Sequence, residues 1–112
     1  MKILSTPTKL QDLWEHKDVD FTDLMKLVVD VDREILAIDA EMHADLEELL
    51  LENGSEQRNL WGANVYPGKG IEDLIEYTSF INIRPNQNNR SMEITDEMTR
   101  NKVKYIIMRL LI

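Results

Sequence analysis

The chain predicts an α+β fold, an antiparallel, meander-like sheet of about five strands with an N-terminal and a C-terminal helix packed on it. Three observations carry that expectation. Apolar residues alternate at period two through Met25, Leu27, Val29 and Val31. Turn dipeptides punctuate the middle of the chain, at Asn53-Gly54 and through Pro67-Gly68-Lys69-Gly70. Near the end, Val103, Ile106, Ile107, Leu110 and Leu111 recur at helical spacing.

Taken in order, Met1 to Leu4 reads as a short first strand. Thr6-Pro7 then opens a helix, with Thr6 as N-cap and Pro7 at the first helical position, where a missing N–H costs nothing. Leu10, Leu13 and Trp14 turn to the core, and the helix ends by Lys17 ahead of the acidic stretch Asp18 to Asp23. Leu24 to His43 reads as a β-hairpin turning at Asp32-Arg33, with Leu36, Ile38, Ala40 and Met42 on one face of its second strand. Asp45 to Glu52 reads two ways. Asp45 and Glu48 have capping-box spacing and the leucines favour helix, whereas Asn53-Gly54 is a hairpin-turn dipeptide and a strand follows. The following strand tips the expectation to a hairpin. Asn59 to Tyr66 is that strand, and Leu74 to Arg84 is a further one, stopped by Pro85. A polar loop leads to Thr95-Asp96-Glu97, which caps the final helix with acidic residues at its positive end.

At 112 residues the chain is read as a single α+β domain over 1–112, and its 43% hydrophobic and 30% charged content is that of a globular protein. Absence of cysteine excludes thiol catalysis, disulfides and cysteine-ligated metal centres, and suits a reducing, cytoplasmic setting. The N-terminal apolar run is too short for a signal peptide, and the C-terminal one, Tyr105 to Ile112, is short and interrupted by Arg109. No membrane role is expected. The net charge of −8 argues against nucleic acid, whose phosphates call for a basic surface. The charge is uneven: residues 1–56 hold 5 Lys/Arg against 15 Asp/Glu, a net −10, and residues 57–112 hold 8 against 6, a net +2. Such an acidic half is a solvated face or a surface for a basic partner protein.

Two clusters could carry chemistry. The first is Glu41, His43 and Asp45. On a strand, alternate residues share a side, so Glu41 and His43 could converge on one divalent metal, with Asp30 of the paired strand as a further ligand. The second is Asn82, Arg84, Gln87, Asn89 and Arg90, which place two guanidiniums and three amides at the end of a strand. They could grip a carboxylate or phosphate. They could equally tie the last loop to the sheet, with Arg84 or Arg90 bridging to Asp30, Asp32 or Glu41. No serine lies in a nucleophile motif and no glycine loop has phosphate-binding spacing. Trp14, Trp61 and the methionines read as core.

The stretch Ile81-Asn82-Ile83-Arg84-Pro85-Asn86-Gln87-Asn88-Asn89-Arg90-Ser91-Met92-Glu93-Ile94 resembles a family of short bacterial and archaeal proteins catalogued as a domain of unknown function. Val29-Asp30-Val31, Ile35-Leu36-Ala37, Glu41-Met42-His43-Ala44-Asp45, Leu50-Leu51-Glu52-Asn53-Gly54-Ser55 and Leu60-Trp61-Gly62 extend the resemblance from about Leu24 to the end. It implies no reaction, cofactor or partner. The resemblance implies glycine where this chain has Glu34, a glycine pair at Asp39-Ala40, and glycine at Asn88. Asn88 can still take a left-handed turn conformation.

The expected function is a small non-catalytic binding or interaction module, in which Asn82, Arg84, Gln87, Asn89 and Arg90 meet a partner protein or a small anionic ligand. The alternative is a metal-dependent hydrolase with Glu41 and His43 as ligands, Asp45 as ligand or base, and an arginine stabilising developing charge. Exposed edges of an antiparallel sheet also make a homodimer an expectation.

Overall fold

In a computed structural model, which describes residues 1–111, the elements run β1 (Lys2–Leu4), α1 (Leu10–Glu15), β2 (Met25–Asp30), β3 (Ile35–Ile38), α2 (His43–Glu52), β4 (Leu60–Val65), β5 (Ile75–Glu76) and α3 (Glu97–Leu110). Short 3-10 turns occupy Gln57–Asn59, Phe80–Asn82 and Pro85–Gln87. The five strands form one antiparallel sheet in the order β1-β3-β2-β4-β5. β3 and β4 lie on opposite sides of β2, because α2 carries the chain across the sheet between them. The expected α+β sheet and terminal helices are therefore present. Ile112, the end of the apolar C-terminal run, lies outside the described residues.

Strand alternation sorts the side chains into two layers. Met25, Leu27 and Val29, Leu36 and Ile38, and Trp61, Ala63 and Val65 pack with Leu13 of α1 and with Val103, Ile106, Ile107 and Leu110 of α3. From the opposite face, Val28, Ile35, Ala37 and Leu60 pack against Leu46 and Leu50 of α2. The sheet is covered on both faces, which explains why β2 and β3 are almost continuously apolar.

Four expectations are corrected. The first helix does not start at Thr6-Pro7. Thr8 is extended and donates its N–H to the Leu110 carbonyl at 2.8 Å, so the helix starts after it, at Leu10. Residues 45–52 are helix, not the expected hairpin strand, and Asn53-Gly54 is its C-terminal stop. The Ser55 N–H reaches the Leu50 carbonyl at 2.9 Å and the Gly54 N–H reaches Leu51 at 3.1 Å, with Gly54 at φ 105°. The second hairpin strand ends at Ile38, and His43 already belongs to α2. The strand expected over Leu74–Arg84 is regular only at Ile75–Glu76 and then breaks into the two 3-10 turns.

Backbone φ is positive at three non-glycine residues, Glu34 (55°), Asp39 (80°) and Asn88 (60°). These are the positions at which the family resemblance implies glycine, which populates this region without a Cβ penalty.

Among the described residues, no helix is long and apolar enough to cross a membrane.

Candidate functional site

The polar loop after β5 is built around three buried side chains. Asn82 is fully buried in the turn Phe80–Asn82, where Ser79 caps the turn by accepting the Ile81 N–H. Its carboxamide pairs with both backbone groups of Gly62 on β4 and donates again to the Met92 carbonyl at 3.0 Å. Asn89 donates to the carbonyls of Asn82, Ser91 and Glu93, and its oxygen accepts the N–H and hydroxyl of Thr95. One asparagine therefore fastens the loop to the segment leading into α3.

Arg84 is the third. Its guanidinium donates to the carbonyls of Ile81, Gln57 and Leu60 and lies 4.7 Å from the centre of the Trp61 ring. Nη2 stands 3.6 Å from the Glu47 carboxylate of α2, with both side chains largely buried. Burial lowers the Arg84 pKa, and the Glu47 charge opposes that shift. Arg84 does meet the acidic N-terminal half of the chain, but through Glu47. The Asp30 carboxylate instead accepts the N–H groups of Asp32 and Arg33 at 2.9 Å each.

The five residues singled out in the loop thus separate. The polar atoms of Asn82 face backbone, and those of Arg84 face backbone, the Glu47 carboxylate and, at 3.4 Å, Gln87 Oε1. Gln87 donates to the Arg58 carbonyl at 3.0 Å and, with Asn88 and Asn89, forms one wall of a cleft of about 470 Å³. Arg90 is exposed and does not line it. The other walls were not anticipated: Arg58 after α2, and Thr95, Asp96 and Thr99 at the start of α3, over a floor of Val31 and Trp61. Asp96 caps α3 by accepting the Thr99 N–H at 2.8 Å and its hydroxyl at 2.7 Å, and these bonds hold its carboxyl below the usual carboxylate range. Arg58 pairs with Glu56 at 2.9 Å on the surface. Arg58 and Asp96 are far apart in sequence and belong to no motif, so only the fold brings them to one cleft.

Glu41, His43 and Asp45 do not share a strand face. Glu41 is exposed in the turn before α2, His43 opens that helix, and Asp45 is exposed in its first turn. His43 Nε2 lies 2.8 Å from the Ala63 carbonyl. Burial is the main force lowering the His43 pKa, with Lys26 adding to it, while the Ala63 bond, Asn64 and Glu76 oppose it. Among the described residues, no three His, Asp or Glu side chains are grouped to hold a metal ion.

The family model described as "Protein of unknown function (DUF5674)" matches residues 2–110. No curated protein and no solved structure matches the chain.

Proposed function

Because the chain belongs to this family of unknown function, its sites are the only guide to its role, and we propose that it is a small non-catalytic binding module for a peptide-like segment of a partner protein. The observation that carries this is the cleft itself, where Gln87, Asn88 and Asn89 of the polar loop meet Arg58, Thr95 and Asp96. Loops fixed on a rigid sheet are common recognition surfaces, and this one is anchored from beneath by Asn82, Arg84 and Asn89.

The chemistry of the walls selects the ligand class. Arg58 and the amides of Gln87 and Asn88 offer donors, while Asp96 and Thr95 offer acceptors. An anion alone would be repelled by the Asp96 carboxylate that lines the same cleft. A peptide unit carries both a donor and an acceptor and satisfies both walls, with Trp61 beneath as an apolar floor.

The test is an amide-resolved NMR titration of the whole chain with blocked polar dipeptides and, separately, with inorganic phosphate. Dipeptides should shift the amides of Gln87 to Asn89 and Thr95 to Thr99. Arg58→Ala should remove that response with the rest of the spectrum unchanged, since Arg58 is exposed. Response to phosphate alone would replace the peptide ligand by an anion, and silence with both would sink the proposal.

A further inference from the structure

The sheet ends at β1, and the outer edge of that strand is open. In the order β1-β3-β2-β4-β5, β1 pairs with β3 alone. Beyond that ladder, Lys2, Ile3 and Leu4 make no backbone–backbone hydrogen bond among the described residues. Such an edge is a template for another strand.

The surroundings of the edge decide which strand it accepts. Ile3 packs with the α2 layer and Leu4 with the opposite layer, so alternate positions of β1 face α2. On the α2 side, a groove of about 250 Å³ is lined by Met1, next to β1, and by Asp45, Glu48, Leu49 and Glu52 of α2. The three acids follow at steps of three and four, a single stripe about 10 Å long on the helix. All three are exposed, and none forms an ion pair among the described residues. The cause lies in the sequence, where no Lys or Arg occurs between Arg33 and Arg58. The other face of β1 differs: Lys2 shares it with Leu4 and is exposed. The two sides of one edge therefore carry opposite charge.

This arrangement disfavours a second copy as the added strand. Two chains joined antiparallel through β1 would keep their α2 helices on the same face of the joined sheet. Each would bring its own stripe of carboxylates, in molecules of net charge −8 that already repel. A basic strand meets the opposite condition.

We propose that the open edge of β1 takes up an extended, basic segment of a partner protein as an added strand. Its backbone continues the ladder. Every second side chain is Lys or Arg, with the charge at Asp45, Glu48 and Glu52 and the aliphatic stem over Met1 and Leu49. The intervening side chains fall on the Lys2 side and are uncharged or acidic. In strand addition the main chain supplies affinity and the alternate side chains supply specificity. This surface is separate from the cleft, because β3 and β2 stand between β1 and β4, which carries Trp61.

The experiment is an NMR titration of the whole chain with the blocked heptapeptide Val-Lys-Val-Lys-Val-Lys-Val. One control has Glu in place of each Lys. A second is N-methylated at its five inner residues, which keeps the charge and prevents ladder pairing. The lysine peptide should shift the amides of Lys2, Ile3 and Leu4 and those from Asp45 to Glu52, and each control should bind at least tenfold more weakly. The triple variant Asp45→Asn, Glu48→Gln, Glu52→Gln should lose at least tenfold, while Gln87→Ala, in the cleft, leaves binding unchanged. Equal binding of the N-methylated peptide would reduce the contact to charge attraction and overturn the proposal. So would equal binding of the glutamate peptide, an unaltered triple variant, a loss in Gln87→Ala, or no shift at β1. A β1 response to protein concentration alone, with dimer mass in sedimentation, would give the edge to a second copy instead.

Discussion

The Asn82 side chain pairs with the Gly62 peptide as a neighbouring strand would: the Gly62 N–H donates to Oδ1 at 2.8 Å, and Nδ2 donates to the Gly62 carbonyl at 3.0 Å. β5 covers β4 only at Asn64 and Val65. Beyond that point Asn82 satisfies Gly62 and the Arg84 guanidinium satisfies the Leu60 carbonyl. Side chains of one loop therefore complete the sheet edge that a longer strand would have completed, and the same loop presents Gln87 and Asn88 to the cleft.

Replacing Asn82 by Ala should therefore destabilise the whole fold, not only the loop. It leaves the Gly62 N–H and carbonyl without their partner in a buried setting, while the Met92 carbonyl keeps the Ser79 N–H, at a cost of about 1–3 kcal/mol for an unsatisfied group. Urea unfolding checks it: the midpoint should fall with the slope unchanged. Asn82→Asp, which keeps an acceptor for the Gly62 N–H but removes the donor, should also destabilise. A wild-type midpoint for both variants would mean that the loop is not part of the sheet edge.

Arg84 and Glu47 form a pair whose members should not be removed singly. Arg84→Met removes a donor from three carbonyls, of which that of Gln57 keeps the Leu60 N–H, and leaves the Glu47 carboxylate largely buried without its counter-charge. Breaking a buried pair from one side costs about 3–5 kcal/mol. Adding Glu47→Gln to Arg84→Met should restore a part of that loss, and a double-mutant cycle in urea measures the coupling. Additive losses would show that the charge of Glu47 is irrelevant to Arg84.

These relationships set what could be read from residues alone. Period-two alternation located β2 and β3, because each has one face on the α1–α3 layer, and the turn at Pro67-Gly68 bounded β4. It failed after Glu76, where Tyr77, Ser79, Ile81 and Ile83 continue an alternating pattern but the chain turns. There Asn82 and Arg84 outcompete a regular ladder with their own side-chain hydrogen bonds, which no periodicity reports. α2 was misjudged because Asn-Gly serves a helix stop as well as a hairpin, and the deciding contact, Leu46 and Leu50 on the far face of the sheet, is long-range. The density of amides and arginines from Asn82 to Arg90 was legible. That Asn82, Arg84 and Asn89 are internal ties while Arg58 and Asp96 join Gln87 at the cleft depends on the turns of the chain, not on its composition.

Of the three strained turn residues, Glu34 and Asp39 should respond to glycine in opposite directions. The left-handed conformation costs an ordinary residue about 1–2 kcal/mol, and glycine avoids that penalty at an entropic cost of about 0.5–1 kcal/mol. The Glu34 carboxylate does little to compensate, lying 4.0 Å from Arg109 in a half-exposed pair. Glu34→Gly should raise the melting temperature by roughly 2–4 °C. The Asp39 carboxylate accepts the N–H groups of Asp18 at 2.8 Å and Val19 at 3.2 Å, holding the acidic segment to the sheet. Asp39→Gly removes both, each charge-assisted bond contributing about 1.5–3 kcal/mol, so its melting temperature should fall. Calorimetry of the two variants side by side decides it. Equal rises would show that the Asp39 bonds contribute nothing.

His43 should make stability pH-dependent in a direction set by its environment. Burial lowers its pKa from the ordinary 6.5, Lys26 pushes the same way, and the Ala63 carbonyl, Asn64 and Glu76 push back without reversing the shift. The folded chain therefore releases the His43 proton more readily than the unfolded chain does. Above about pH 6.5 the ring is neutral in both states and its contribution is intact; as pH falls through the window from 6.5 to the lowered folded value, the unfolded state binds the proton first and stability is lost. His43→Gln, which keeps a donor for the Ala63 carbonyl, removes that proton. Unfolding free energies of both proteins, measured between about pH 8 and about pH 5, should differ by an amount that shifts against the wild type as pH drops. Parallel curves would mean that His43 carries the same proton folded and unfolded, and that its ring is not shielded by the turn at Phe80 and the start of α2.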